Sequence, residues 1–133
     1  MKAYNAENIR NIVLAGHGGR GKTSLAEAML YLSGSADRLG RISDGTTVLD
    51  SDPEEKKRKA SVSTAVAYTQ WKDTKINIID TPGLFDFAGG MSEGMRAAEC
   101  ALIVTAAGCK YDVGAEKADK AAENRIIARK KVI

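Results

Sequence analysis

The apolar run Ile9-Arg10-Asn11-Ile12-Val13-Leu14-Ala15 empties into Gly16-His17-Gly18-Gly19-Arg20-Gly21-Lys22-Thr23-Ser24, and this junction constrains the fold more than any other stretch of the chain. A buried strand must hand over to a glycine-rich turn that closes on Gly-Lys-Thr. Glycines let the backbone wrap so that consecutive N–H groups converge on one anion, which a Cβ would obstruct. A helix opening at Lys22 adds unpaired N–H donors and the positive end of its dipole. The pattern reads as a phosphate-binding loop in which Lys22 bridges the β- and γ-phosphates and the Thr23 hydroxyl binds Mg²⁺. The candidate phosphate site is therefore His17, Gly18, Gly19, Arg20, Gly21, Lys22, Thr23 and Ser24.

A chain of 133 residues is long enough for one domain with a real core and too short for two. Its net charge of +3 does not by itself call for nucleic acid or an anionic membrane. Basic residues gather at Lys56 to Lys59 and at Arg125 to Lys131, and both clusters read as solvated faces. No apolar run approaches the ~18 residues of a membrane span, and the N-terminus leads into no signal-peptide core. The expectation is a soluble, cytoplasmic protein with no membrane partner. Cys100 and Cys109 suggest neither a disulfide framework nor a metal cluster, and the lone His17 offers them no companion ligand. Both cysteines read as small, partly buried hydrophobes.

Periodicity places the remaining elements. Ile12, Val13 and Leu14 suit a strand buried on both faces in the middle of a parallel sheet. Leu25, Ala28, Met29 and Leu32 form the expected inner stripe of the helix from Lys22, with Gly34 to stop it. From Ser33 to Ala60 no period survives, as expected of a mobile functional or disordered segment. Alternation returns over Ser61 to Gln70, a strand whose richer face carries Val62, Thr64, Val66 and Tyr68. A turn over Trp71 to Thr74 leads to an antiparallel strand, Lys75 to Asp80. Gly89-Gly90 precedes Ser92 as the N-cap of a helix reaching about Cys100. Ala101 to Ala106 is a further buried strand, and a loop containing Gly108 and Gly114 leads to a helix over Ala115 to Glu123. Lys131-Val132-Ile133 starts a fifth strand.

Ile78-Ile79-Asp80-Thr81-Pro82-Gly83 is the second motif. An acidic residue at the carboxyl end of a neighbouring strand can orient a Mg²⁺-bound water, and the Gly83 N–H can approach a γ-phosphate. A kinase or ATPase can share the first motif, but a hydrophobic strand followed by Asp-Thr-Pro-Gly looks like a GTPase. With these two motifs, Gly45-Thr46-Thr47-Val48-Leu49-Asp50, Trp71-Lys72 and Asp86-Phe87, nearly the whole chain resembles the N-terminal part of the GTP-binding domain of bacterial elongation factor G and its elongation factor G-like paralogues.

The resemblance implies an α/β P-loop NTPase fold of GTPase type, a three-layer sandwich incomplete at its C-terminal end. It implies GTP or GDP with Mg²⁺ as ligands and the ribosome as partner of the full-length protein. Lys22, Thr23 and the loop amides would hold the phosphates, Asp80 and Gly83 would belong to the second switch, and Ser33 to Ala60 would be the first. Counting back from Asp80 puts Ser61 where the family usually has the threonine that closes over Mg²⁺, so the expected metal ligands are Thr23, Ser61 and Asp80. Three departures stand out. Leu84 occupies the place of a water-positioning histidine, Gly19 replaces an acidic loop residue, and the chain stops just before the expected Asn-Lys-x-Asp guanine-reading motif. Residues 1–133 thus read as a partial GTP-binding domain, with weak or no hydrolysis as the alternative activity and an open sheet edge that invites dimerisation.

Overall fold

The computed structural model describes residues 3–108, 112–124 and 128–132. Its strands are β1 (Ile9–Ala15), β2 (Ala65–Trp71), β3 (Thr74–Asp80), β4 (Cys100–Val104) and β5 (Ala128–Val132). Its helices are α1 (Lys22–Leu32), α2 (Pro53–Arg58), α3 (Ala88–Ala97) and α4 (Val113–Glu123). The five-stranded sheet runs β2-β3-β1-β4-β5. Only β2 is antiparallel to its neighbour; β1 pairs in parallel with both β3 and β4, and β4 with β5.

Alternate residues of the central strands feed two cores. Val13, Ala15, Ile79, Ala101 and Ile103 pack under Met95 of α3 and the Ala115, Ala118 and Ala122 stripe of α4. Leu14 and Ile78 face the other way, against Ala26 and Leu30 of α1 and Leu49. This is the expected three-layer α/β arrangement, with strands apolar on both faces because helices cover both. The register pairs Leu14 of β1 with Asp80 of β3, and Thr81 Oγ1 donates to the Leu14 carbonyl (2.7 Å). Both motifs therefore leave the sheet side by side at its carboxyl edge.

Several elements differ from expectation. The buried residues of α1 are Lys22, Thr23, Ala26, Glu27 and Leu30, whereas Leu32 is 78% exposed. The loop turns Lys22 and Thr23 inward, and the residues three, four and seven further on follow them; Leu25 and Met29 pack at the margin of that core. β2 begins at Ala65, not Ser61, and buries Thr69 while half-burying Ala65 and Ala67. Its richer face points outward, with Val66 68% and Tyr68 50% exposed, while Ala65 and Ala67 pack against the Leu49 and Ile78 cluster.

α3 starts at Ala88, so Gly89, Gly90 and Ser92 lie within it and none of them caps it. A Cβ at Gly90 would meet Thr64 Oγ1 at 2.8 Å and Pro82 at 2.9 Å, so the glycine permits this close approach. β4 runs from Cys100, which is half-buried, and stops at Val104; α3 ends before it, at Ala97. Gly114 belongs to α4, which Asp112 caps by accepting the Ala115 N–H (2.9 Å). β5 starts at Ala128, earlier than Lys131, and pairs along all of β4. Cys109, Ile133 and the side chains of the Arg125 to Lys131 cluster lie outside the described residues.

The segment from Ser33 to Ala60 is built, not loose. Asp52 and Glu55 form a reciprocal cap on α2, and Thr47, Leu49, Asp50 and Glu55 are buried. Glu55 Oε1 accepts the N–H groups of Val62 (3.0 Å) and Ser63 (3.2 Å), holding the approach to β2. Among the described residues no helix is long and apolar enough to cross a membrane.

Candidate nucleotide-phosphate site

The loop after β1 is shaped by left-handed glycines. Gly16 has φ +138°, and a Cβ there would strike the Val104 carbonyl oxygen at 2.5 Å; Gly21, at φ +86°, turns the chain into α1. Lys22 is 6% exposed, and its Nζ donates to the carbonyls of Gly16 (3.2 Å) and His17 (3.1 Å). The cation is thus folded back onto its own loop. Burial lowers its pKa, opposed by the negative charges of Asp80, Asp112 and Asp50.

Thr23 Oγ1 donates to Asp80 Oδ2 (2.6 Å) and lies 3.1 Å from Ser61 Oγ, which donates to Asp50 Oδ1 (2.7 Å). The three expected metal ligands, Thr23, Ser61 and Asp80, do converge, and Asp50 joins them. Asp80 Oδ1 and Asp50 Oδ2 are buried without a hydrogen-bond partner. Burial pushes the Asp80 carboxyl up to about 6, against the pull of the Thr23 hydroxyl and the Lys22 charge. Burial raises Asp50 as well, with the Ser61 hydrogen bond opposing it.

That donor set suits a hard cation. Magnesium is held by one or two carboxylates or hydroxyls and completes its shell with phosphate oxygens and water. The described residues include no group of three or more His, Cys, Asp or Glu placed to hold a metal. Two hydroxyls and two carboxylates, with two orphaned oxygens among them, fit the lighter coordination that Mg²⁺ uses beside a nucleotide.

The remaining expected residues are distributed unevenly. A Cβ at Gly83 would clash with Lys22 Nζ and approach Gly18 N at 2.6 Å, so the second motif lies directly on the loop. A Cβ at Gly18 would meet Leu84 Cδ2 at 3.0 Å, and Leu84 is itself 40% exposed. Gly18, Lys22, Thr23, Asp50, Ser61 and Leu84 line a cavity of about 80 Å³, with Gly19, Gly21 and Gly83 also on its wall. Ser24 sits on the exposed side of α1. Arg20 Nε binds Asp112 Oδ2 at 3.0 Å, tying the loop to the cap of α4. Burial raises Asp112, but its bonds from Ala115 and Arg20 and the charges of His17 and Arg20 outweigh this and leave the carboxyl below its ordinary value. Asp50 was not among the expected ligands. Nothing local singled it out, since Asp37, Asp44 and Asp52 lie in the same stretch.

Residues 7–129 match the family described as the elongation factor Tu GTP binding domain. The chain belongs to that family. An elongation factor G-like protein of Mycobacterium tuberculosis (strain ATCC 25618 / H37Rv) is 46% identical over 99 residues, which is 74% of this chain and 14% of that protein. The elongation factor G-like protein of Synechocystis sp. (strain ATCC 27184 / PCC 6803 / Kazusa) is 41% identical over 107 residues, 80% of this chain and 15% of that protein. A crystal structure of a protein from Thermus thermophilus superposes with a TM-score of 0.90 at 38% identity, covering 92% of this chain and 19% of that one. This member of the elongation factor Tu GTP-binding domain family thus spans about a seventh of the length of these curated relatives. Its fold is a P-loop GTPase-type α/β fold, and the family implies guanine-nucleotide binding.

Proposed function

We propose that this chain is the phosphate- and metal-binding part of a GTP-binding domain, taking GTP or GDP with Mg²⁺ in service of an elongation factor G-like translation factor. The observation that supports it most is the pair of orphaned buried oxygens, Asp50 Oδ2 and Asp80 Oδ1, beside Thr23, Ser61 and Lys22 at the mouth of the glycine loop. Lys22, which now donates to the Gly16 and His17 carbonyls, would bind the phosphates together with the loop amides from Gly18 to Thr23. The Thr23 and Ser61 hydroxyls, with Asp80 and Asp50 around them, would hold Mg²⁺, which would supply neutralisation of phosphate charge. The Gly83 N–H, on the segment that lies against Gly18 and Lys22, would donate to the γ-phosphate.

Leu84 gives the reading its particular form. In phosphoryl transfer the protein mostly positions groups and stabilises charge, and an isobutyl group beside Gly18 positions no water. The chain therefore binds nucleotide and turns it over slowly. In the full-length protein we assign the ribosome as partner and the cytoplasm as location; any self-association of this chain uses the outer edges of β2 or β5.

Titration of fluorescent GDP and GTP into the parent chain and Lys22→Ala tests the reading. Lys22→Ala should weaken binding by a few kcal/mol, as expected for a cation removed from phosphate in a partly dry site. Equal affinity for parent and variant would refute the phosphate site.

A further inference from the structure

We propose that Glu27 is a positioning residue of this site: a buried latch that ties the segment from Gly40 to Asp50 to the helix carrying Lys22 and Thr23, and so favours Mg²⁺-bound triphosphate over diphosphate. The proposal rests on the nucleotide reading above. Glu27 is fully buried, one helical turn beyond Thr23 on the same face of α1. Its Oε1 accepts the N–H groups of Val48 (2.7 Å) and Leu49 (3.0 Å). The next residue is Asp50, whose Oδ1 accepts the Ser61 hydroxyl, which in turn lies against Thr23. A closed ring results, from Thr23 along α1 to Glu27, across to Asp50, and back through Ser61.

Packing alone does not account for a carboxylate here. Leucine or methionine would fill the inner face of α1 without the cost of burying a charge. Glu27 instead satisfies two backbone donors of an irregular segment that has no sheet ladder to satisfy them. Its other oxygen, Oε2, is buried without a partner and lies against Gly40. A Cβ at Gly40 would collide with that oxygen, and would come within 2.8 Å of Thr47 Cα and 2.9 Å of Glu27 Cδ. Gly40 is the contact that lets the segment close over the carboxylate.

The consequence differs between ligands. A diphosphate is held by the loop amides and Lys22, which Glu27 does not touch. A triphosphate with Mg²⁺ also draws on Ser61 and Asp50, and their position depends on the latch. Breaking it removes the segment's contribution while leaving the loop intact, a coupling between two parts of one site.

The test titrates fluorescent GDP and a non-hydrolysable GTP analogue, with Mg²⁺, into the parent chain, Glu27→Ala, Glu27→Gln and Gly40→Ala. Glu27→Ala and Gly40→Ala should lose about tenfold in affinity for the analogue and no more than about twofold for GDP, the scale of an ordinary coupling between sites. Glu27→Gln, which keeps an oxygen for the two N–H groups, should recover most of the loss. Trypsin cleavage within Lys56 to Lys59 should slow with the analogue in the parent and not in Glu27→Ala. Should Glu27→Ala fail to fold by circular dichroism, Glu27→Gln and Gly40→Ala decide. Equal losses for both nucleotides, or none for either, would overturn the latch alone, whereas a parent chain that binds neither nucleotide would overturn the nucleotide reading with it.

Discussion

Thr23 and Ser61 face each other with hydroxyl oxygens 3.1 Å apart while each already donates its one proton elsewhere, Thr23 to Asp80 and Ser61 to Asp50. With both carboxylates ionised, the contact sets lone pair against lone pair. Two changes relieve it. A proton on Asp80 lets that carboxyl donate to Thr23 and frees the Thr23 hydrogen for Ser61, or a cation takes up both oxygens.

Ser61→Ala removes one of these oxygens, and its effect should depend on metal. Without Mg²⁺ the variant should melt lower than the parent, because the buried Asp50 carboxylate loses the Ser61 hydrogen bond at a cost of about 1–3 kcal/mol, which relief of the Thr23 contact offsets only in part. With Mg²⁺ and a GTP analogue it should bind about tenfold more weakly, the loss of roughly one hydrogen bond to a charged group. Thermal melts in EDTA and analogue titrations in Mg²⁺ separate the two effects; a variant whose analogue binding in Mg²⁺ is unchanged would contradict the arrangement.

The pH dependence of the metal-free protein follows from Asp80. Its folded value of about 6 lies above the ordinary value of 3.8, so the folded state binds the proton more tightly than the unfolded chain. Stability is therefore greatest below the unfolded value and falls as pH rises through about 6, by about 3 kcal/mol at most. Asp50, also raised, acts in the same direction, whereas Asp112, lowered, matters only below its ordinary value. Urea unfolding in EDTA should give a lower midpoint at pH 7.5 than at pH 5, and Asp80→Asn should flatten the difference. A midpoint that rises over this interval would contradict the burial of Asp80.

What the sequence revealed, and what it hid, follows from the range of the forces involved. β1, the glycine loop, α1 and β3 were legible because their patterns are local: an apolar run, a glycine spacing, a helical period. The inner face of α1 was misread because Lys22 and Thr23 are polar residues turned inward by the loop, so a hydrophobic stripe is not its organising feature. Ser33 to Ala60 showed no period because side chains reaching from elsewhere satisfy its backbone. Glu27 binds Val48 and Leu49 from α1, and Glu55, inside the segment, reaches out to the N–H groups of Val62 and Ser63 beyond it. Such bonds leave no repeat in the sequence. The same distance hid Asp50, whose role appears only when Ser61 is brought beside Thr23.

Asp112 does two jobs, and they can be separated. It caps α4 through the Ala115 N–H and pairs with Arg20 of the loop. Asp112→Asn keeps a capping oxygen and should cost little, while Asp112→Ala should destabilise by about 1 kcal/mol from the cap, the partly exposed ion pair adding little. Chemical denaturation of both variants and of Arg20→Ala checks this; a loss for Asn as large as that for Ala would shift the weight to the ion pair.

On the proposed nucleotide reading, turnover rests on Leu84. Lys22, and a metal held by Thr23, Ser61 and Asp80, would on that reading neutralise phosphate charge, but in-line attack also needs a water held opposite the leaving oxygen. The Leu84 side chain lies over Gly18 at the wall of the cavity and carries no hydrogen-bonding atom, and Gly19 places no polar side chain nearby. Single-turnover hydrolysis of GTP by the parent chain should therefore be very slow. Leu84→His restores a group that can hold water, and a well-placed proton-transfer group contributes roughly 10²–10⁴ in rate. The gain should appear only while Ser61 and Asp50 hold the metal side closed, so adding Ser61→Ala should abolish it. Fast hydrolysis by the unmodified chain would show that another side chain positions the water, with Asp86 the first to substitute.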